Sequence, residues 1–138
     1  MNTIHERSRD IVTEFCAALS SGRARAALDL LDPDATWWVG GSVQGLSGTR
    51  AGQDVRDMVT GILALTTDGA LRIEPRAWTV DGGRAALEAM VTGTLRAGST
   101  YHNEYHFLFE VRGGLITCVR AYLDTEHLRT VFGSALPA

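Results

Sequence analysis

The chain has 138 residues, 45% hydrophobic and 21% charged, which suits a single globular domain spanning 1–138 around one core. A formal charge of −3 supplies no basic field for nucleic acid, and no apolar run reaches the ~20 residues that cross a bilayer. The opening MNTIHERSRD has no apolar signal-peptide core, so a cytoplasmic location is expected.

Ile4, Ile11, Phe15, Ala18 and Leu19 recur at helical spacing, with charge on the other side, and predict an amphipathic helix over 4–20. Gly22 suits the left-handed position past its end. A short helix, Ala24–Leu31, should break at Asp32-Pro33-Asp34, because proline disfavours helix in the residue before it. Ala35–Val39 (ATWWV) reads as a short strand. Gly40, Gly41, Gly45 and Gly48 then mark a flexible loop. A third helix is expected from Thr49 to about Leu65, with Val55, Met58, Val59, Ile62 and Leu63 as its apolar stripe.

Four strand candidates follow: Ala70–Val80, Arg84–Leu95, Tyr101–Val111 and Leu115–Leu123. Asp81-Gly82-Gly83, Ala97-Gly98 and Arg112-Gly113-Gly114 separate them as turn signals. A short helix, Glu126–Phe132, closes the sequence, with Asp124 or Thr125 as its natural cap. Helices first and an antiparallel meander last argue for an α+β fold. A curved antiparallel sheet wrapped around helices makes a cone, an α+β barrel with an internal pocket at its open end.

In the strand from Tyr101, side chains alternate between faces. Tyr101, Asn103, Tyr105, Phe107 and Phe109 share the apolar face, and His102, Glu104 and His106 the charged one. Polar groups on a buried face need hydrogen-bond partners, in the protein or in what it binds. The row of His102, Glu104 and His106 suits an interface or a solvated face better than a metal site. No metal ligand set is assigned, since His5 and His127 are expected on terminal helices away from the sheet, and Cys16 and Cys118 share no metal or redox spacing. Glu88 and Arg120 are expected to make cross-strand pairs on that outer face.

The helix ending ALSSGRARAALDLLDPDATWWV and the hairpin NEYHFLFEVRGGLITCVRAYLDT together resemble the nuclear transport factor 2-like superfamily, in particular its SnoaL-like and ketosteroid-isomerase-like branch. The resemblance implies the cone fold and a cofactor-free site for a hydrophobic small molecule. It also implies a homodimer through the outer sheet face, where Trp38, Met90 and Leu108 mix with Glu88, His102 and His106. Ketosteroid isomerases carry a carboxylate base at the position matching Val39, and an acid donor at the position matching Tyr105. Limonene-epoxide-hydrolase relatives carry an Asp–Arg–Asp set at positions matching Ala89, Val91 and Ala121. Neither the base nor that set is present here, while a hydrogen-bond donor remains at Tyr105.

The residues therefore leave two functions open. One is a cofactor-free enzyme that isomerises, cyclises or dehydrates a carbonyl compound of polyketide, terpenoid or steroid type. Asp124 would be its acid/base, at the pocket edge, with Tyr105 and Asn103 polarising the carbonyl. The other is a non-catalytic binding or assembly module. For either, Trp37, Val39, Met58, Ile62, Trp78, Ala89, Val91, Tyr101, Phe107 and Ala121 are the expected lining.

Overall fold

The computed structural model describes residues 3–133. Helix α1 (Ile4–Ser20) opens on a capping box in which Thr3 and Glu6 satisfy each other's backbone N–H groups. It ends where the sequence places its stop, with Gly22 at φ 74°. Helix α2 (Ala24–Asp29) stops two residues short of its expected end, because Leu31 already belongs to strand β1 (Leu31–Val39). The Asp-Pro-Asp break thus lies inside a strand. Pro33 has no N–H to give, and it sits within the register shift between Leu31 and Thr36, where no ladder bond is required of it.

Residues Gly48–Ala51 form a short strand, β2, where the glycine-rich stretch reads as loop and helix start. Helix α3 (Gln53–Ala64) consequently begins later than Thr49, after Gly52 at φ 59°, ψ −126°, a conformation essentially reserved for glycine. Strands β3 (Arg72–Asp81), β4 (Arg84–Thr94), β5 (Thr100–Arg112) and β6 (Leu115–Leu123) make the expected meander, and helix α4 (Thr125–Phe132) follows.

The sheet has six strands in the order β2-β1-β6-β5-β4-β3. All neighbours are antiparallel except β1 and β6, which run parallel, with Trp37 opposite Val119 and Val39 opposite Ala121. The sheet is curved and unclosed. Helix α1 lies along β3 and reaches β4, β5 and β6, while α3 covers β1 and β2. Phe15 of α1 anchors that packing, with ring centroids 6.2 Å from Trp37 and 6.1 Å from Phe109.

The two histidines expected away from the sheet both touch it. Gly82 donates its N–H to Nδ1 of His5 at 2.7 Å, fastening the start of α1 to the β3–β4 turn. His102 donates its N–H to Nε2 of His127 at 3.1 Å, fastening α4 to β5. Among the described residues, no helix is long and apolar enough to cross a membrane.

Candidate functional site

A cavity of about 100 Å³ lies between the concave sheet face and the helices. The alternation in the sequence places most of its wall correctly. Trp37 and Val39 of β1, Val91 of β4, Tyr101, Tyr105 and Phe107 of β5, and Ala121 of β6 all face it. So do Met58 and Ile62 of α3. The helices add wall residues that periodicity identifies only as core: Leu19 of α1, Val59 and Leu63 of α3, and Leu128 and Phe132 of α4. Leu123, at the end of β6, closes the wall beside Tyr105.

Two expected lining residues are elsewhere. Trp78 is half-buried under α1, where the Arg9 guanidinium stacks 5.1 Å from its ring centroid. Ala89 is buried and does not line the cavity; it borders a polar groove with Glu88, Glu104, His106 and Tyr122.

Asp124 is the larger correction. Its side chain is exposed, and Oδ1 accepts the N–H groups of Glu126 at 3.0 Å and His127 at 3.2 Å. The carboxylate is the N-cap of α4 and does not line the cavity. A strand that ends in a helix leaves free N–H groups at the junction, and Asp124 is consumed in satisfying them.

Asn103 is 2% exposed and does not face the cavity either. Its carboxamide pairs with the Asp124 main chain: Nδ2 donates to the carbonyl at 2.9 Å and Oδ1 accepts from the N–H at 3.2 Å. Nδ2 also donates to the Tyr101 hydroxyl at 2.9 Å, and that hydroxyl lies 2.7 Å from the Tyr105 hydroxyl. Asn103, Tyr101 and Tyr105 thus form one chain that ends at the cavity. Tyr101 is held further by the His127 ring, stacked at 5.2 Å and 14°, and by the edge of Phe132 at 4.8 Å.

Burial pushes the Tyr101 phenol from 10.0 up to about 12, against the lowering effect of its hydrogen bonds with Tyr105 and Asn103, and the negative charge of Asp124 adds to the rise. Burial also raises Tyr105 well above the usual phenol value, and the neighbouring Tyr101 adds to the rise. Both are therefore neutral at ordinary pH and can donate hydrogen bonds but cannot act as bases. Among the described residues, no Asp, Glu, His, Lys or Arg lines the cavity. The wall therefore lacks the charged set with which an epoxide hydrolase would activate water.

The size of the cavity restricts its content. The cavity is smaller than the site of about 150 Å³ that holds benzene, so a ring-sized ligand fits where the wall gives way or the ligand extends through the open side. On the outer face, His102, Glu104 and His106 are exposed as expected, while Met90 is buried at 7%. Arg120 stacks 4.2 Å over Trp38 rather than meeting an acid, and its Nε donates to the Tyr122 hydroxyl at 3.2 Å. Among the described residues, no three His, Cys, Asp or Glu side chains converge as a metal site would require.

An unclosed, strongly curved sheet wrapped on helices around an apolar cavity defines the cone class of α+β domains. The SnoaL-like domain family matches residues 12–119, most of the chain, and the protein belongs to that family. Its fold is similar to that of an NTF2-like protein from Burkholderia xenovorans (23% identity, TM-score 0.71), covering 91% of this chain and 95% of that one. PrhC from Penicillium brasilianum is similar at 15% identity and TM-score 0.81, over 95% of this chain and 89% of that one. TerC, co-crystallised with polyporic acid, is similar at 18% identity and TM-score 0.77, over 92% and 98%. No functionally curated protein matches the chain.

Proposed function

We propose that this domain binds a small hydrophobic molecule bearing a carbonyl oxygen, its apolar body in the cone cavity and its oxygen against the Tyr105 hydroxyl. The observation that carries this reading is the composition of the wall, which is apolar throughout except for two phenols. Apolar lining with one or two placed polar groups is the usual make-up of a small-molecule site. A neutral donor at the end of the cavity supplies orientation. The small volume favours a one-ring body, and half-buried Met58, unbranched and flexible, is the part of the wall best able to give way. TerC, with its polyporic acid, supports ligand binding in this fold by analogy only.

A second reading, the isomerase, cyclase or dehydratase, is favoured by one observation: the donor that would meet a carbonyl oxygen is a neutral phenol, suited to an oxygen that gains charge as an enolate forms. With no base in the wall among the described residues, the proton acceptor would be water or a group of the substrate itself. Cyclohexanone separates the two. Its binding is followed by tryptophan fluorescence, since Trp37 lines the cavity, and its deuterium uptake beside the carbonyl is then measured in heavy water. Binding without faster exchange supports the binder, and exchange that is accelerated and then lost in Tyr105→Phe supports the enzyme. Absence of binding refutes both.

A further inference from the structure

The chain from Asn103 to the cavity has a direction, and the direction follows from the main chain of one residue. The peptide groups at Asp124 present one N–H and one carbonyl to the Asn103 side chain, so Oδ1 must face the N–H and Nδ2 the carbonyl. The reverse arrangement would set donor against donor and acceptor against acceptor. Nδ2 can only donate, so the Tyr101 oxygen is an acceptor. Tyr101 is 0% exposed, and the remaining polar partner recorded for its hydroxyl is Tyr105. Its own hydrogen must therefore go to the Tyr105 oxygen, or be left buried without an acceptor, which buried polar groups rarely are. That leaves one O–H of the pair with no acceptor among the described residues. It belongs to Tyr105, which lines the cavity.

We infer that Asn103 is the specificity-determining residue of the cavity: by fixing the direction of the chain through Tyr101, it makes Tyr105 a donor and selects ligands that bring a bare acceptor, small cyclic or aryl ketones and aldehydes. The inference rests on the cavity being the ligand site. Asn103 acts through two tyrosines and is a positioning residue. Hydrogen bonds aligned head to tail polarise one another, so the terminal donor is stronger than an isolated phenol. Without the carboxamide the two hydroxyls are free to reverse, and the cavity then shows a lone pair as readily as a hydrogen.

Two probes of equal shape test this. Cyclohexanone has an acceptor, and methylenecyclohexane replaces its oxygen with CH₂. The ratio of their dissociation constants is measured by thermal shift and fluorescence in wild type, Asn103→Leu and Tyr105→Phe. Comparing ratios cancels the general loss of affinity that a loosened structure would cause. We expect the preference for the ketone to fall at least about fivefold in both variants, the size of one net hydrogen bond. The infrared carbonyl band of bound cyclohexanone should also move to higher frequency in both.

A ratio and a band unchanged in Asn103→Leu but changed in Tyr105→Phe would overturn the role of Asn103 and leave the donor standing. No change in either variant, with both probes bound, would mean that the chain never meets the ligand. Failure of both probes to bind wild type would refute the cavity reading itself. Should Asn103→Leu not fold, Tyr101→Phe cuts the same chain one link later. A carbonyl band unmoved by that cut overturns the inference, and an upward move supports it.

Discussion

Alkaline titration tests the burial of the phenols and of Cys16 together. The Cys16 thiol, 2% exposed, is raised by burial from 9.0 to about 12, and Tyr101 from 10.0 to about 12. A group whose folded value is raised holds its proton in the folded state after the unfolded chain has lost it. Its contribution to stability is therefore complete below the unfolded value and disappears as pH rises toward the folded one. Each pH step in that window costs about 1.4 kcal/mol per group, so Cys16 gives up about 4 kcal/mol from pH 9 to 12 and Tyr101 about 3 from pH 10 to 12. Tyr105 adds a loss of the same sign. Against a typical domain stability of about 5–15 kcal/mol, this removes about half of it or more by pH 12 and brings the protein toward cooperative unfolding. Denaturant midpoints should fall from about pH 9, and Tyr101→Phe should flatten the curve above about pH 10. Phenolate absorbance from Tyr101 and Tyr105 should appear only with unfolding. Measured in Tyr122→Phe, because Tyr122 is 43% exposed and carries the third phenol of the chain, its appearance near pH 10 in a protein that is still folded would mean that the two phenols are not the buried pair described here.

Asp124→Ala removes the acceptor of two N–H groups and should cost about 1 kcal/mol in chemical unfolding, whereas Asp124→Asn should cost little and leave cyclohexanone affinity unchanged. Gly52→Ala should cost at least about 1 kcal/mol from its backbone angles alone, since the nearest atom to a new Cβ is 3.6 Å away. Gly61→Ala, in α3 with open space around it, should be neutral or stabilise by up to about 1 kcal/mol on the same assay. A homodimer is expected through the outer face, where Tyr122 is 43% exposed beside Trp38 and Arg120; sedimentation should find it at micromolar concentration and lose it in Tyr122→Glu, and a wild-type monomer would refute it.

The meander was legible because its strands alternate over most of their length and each turn carries glycine; the register shifts at Pro75–Ala77 and Glu110–Val111 lie away from Asn103, Tyr105 and Phe107, so their faces could be assigned at once. Strand β2 was hidden because the four residues Gly48–Ala51 are too few for a pattern, and its pairing with β1 is what makes it a strand. Asp124 is ambiguous in principle: a carboxylate after an apolar run suits a pocket edge and a helix cap equally, and only the direction of its side chain decides. Cavity walls contributed by helices are illegible for a different reason. Leu63 and Phe132 look like any core residue, since a void is a small difference between large packed volumes. Trp78 alternates inward like Leu87 opposite it, but α1 has already covered that end of the sheet.

The parallel pairing of β1 with β6 has a kinetic consequence. Partners such as Trp37 and Val119 are roughly 80 residues apart in the chain, whereas the meander strands meet across short turns. The β3–β6 ladder can therefore close early, at little loop entropy, while the β1–β6 seam waits for a long and costly closure. Trp37, Val39 and Ala121 stand on that seam and in the cavity wall, so a chain with its meander formed has as yet no complete cavity. A ligand then binds only after the last step of folding. It should slow unfolding without speeding refolding, holding shut the seam that was last to close.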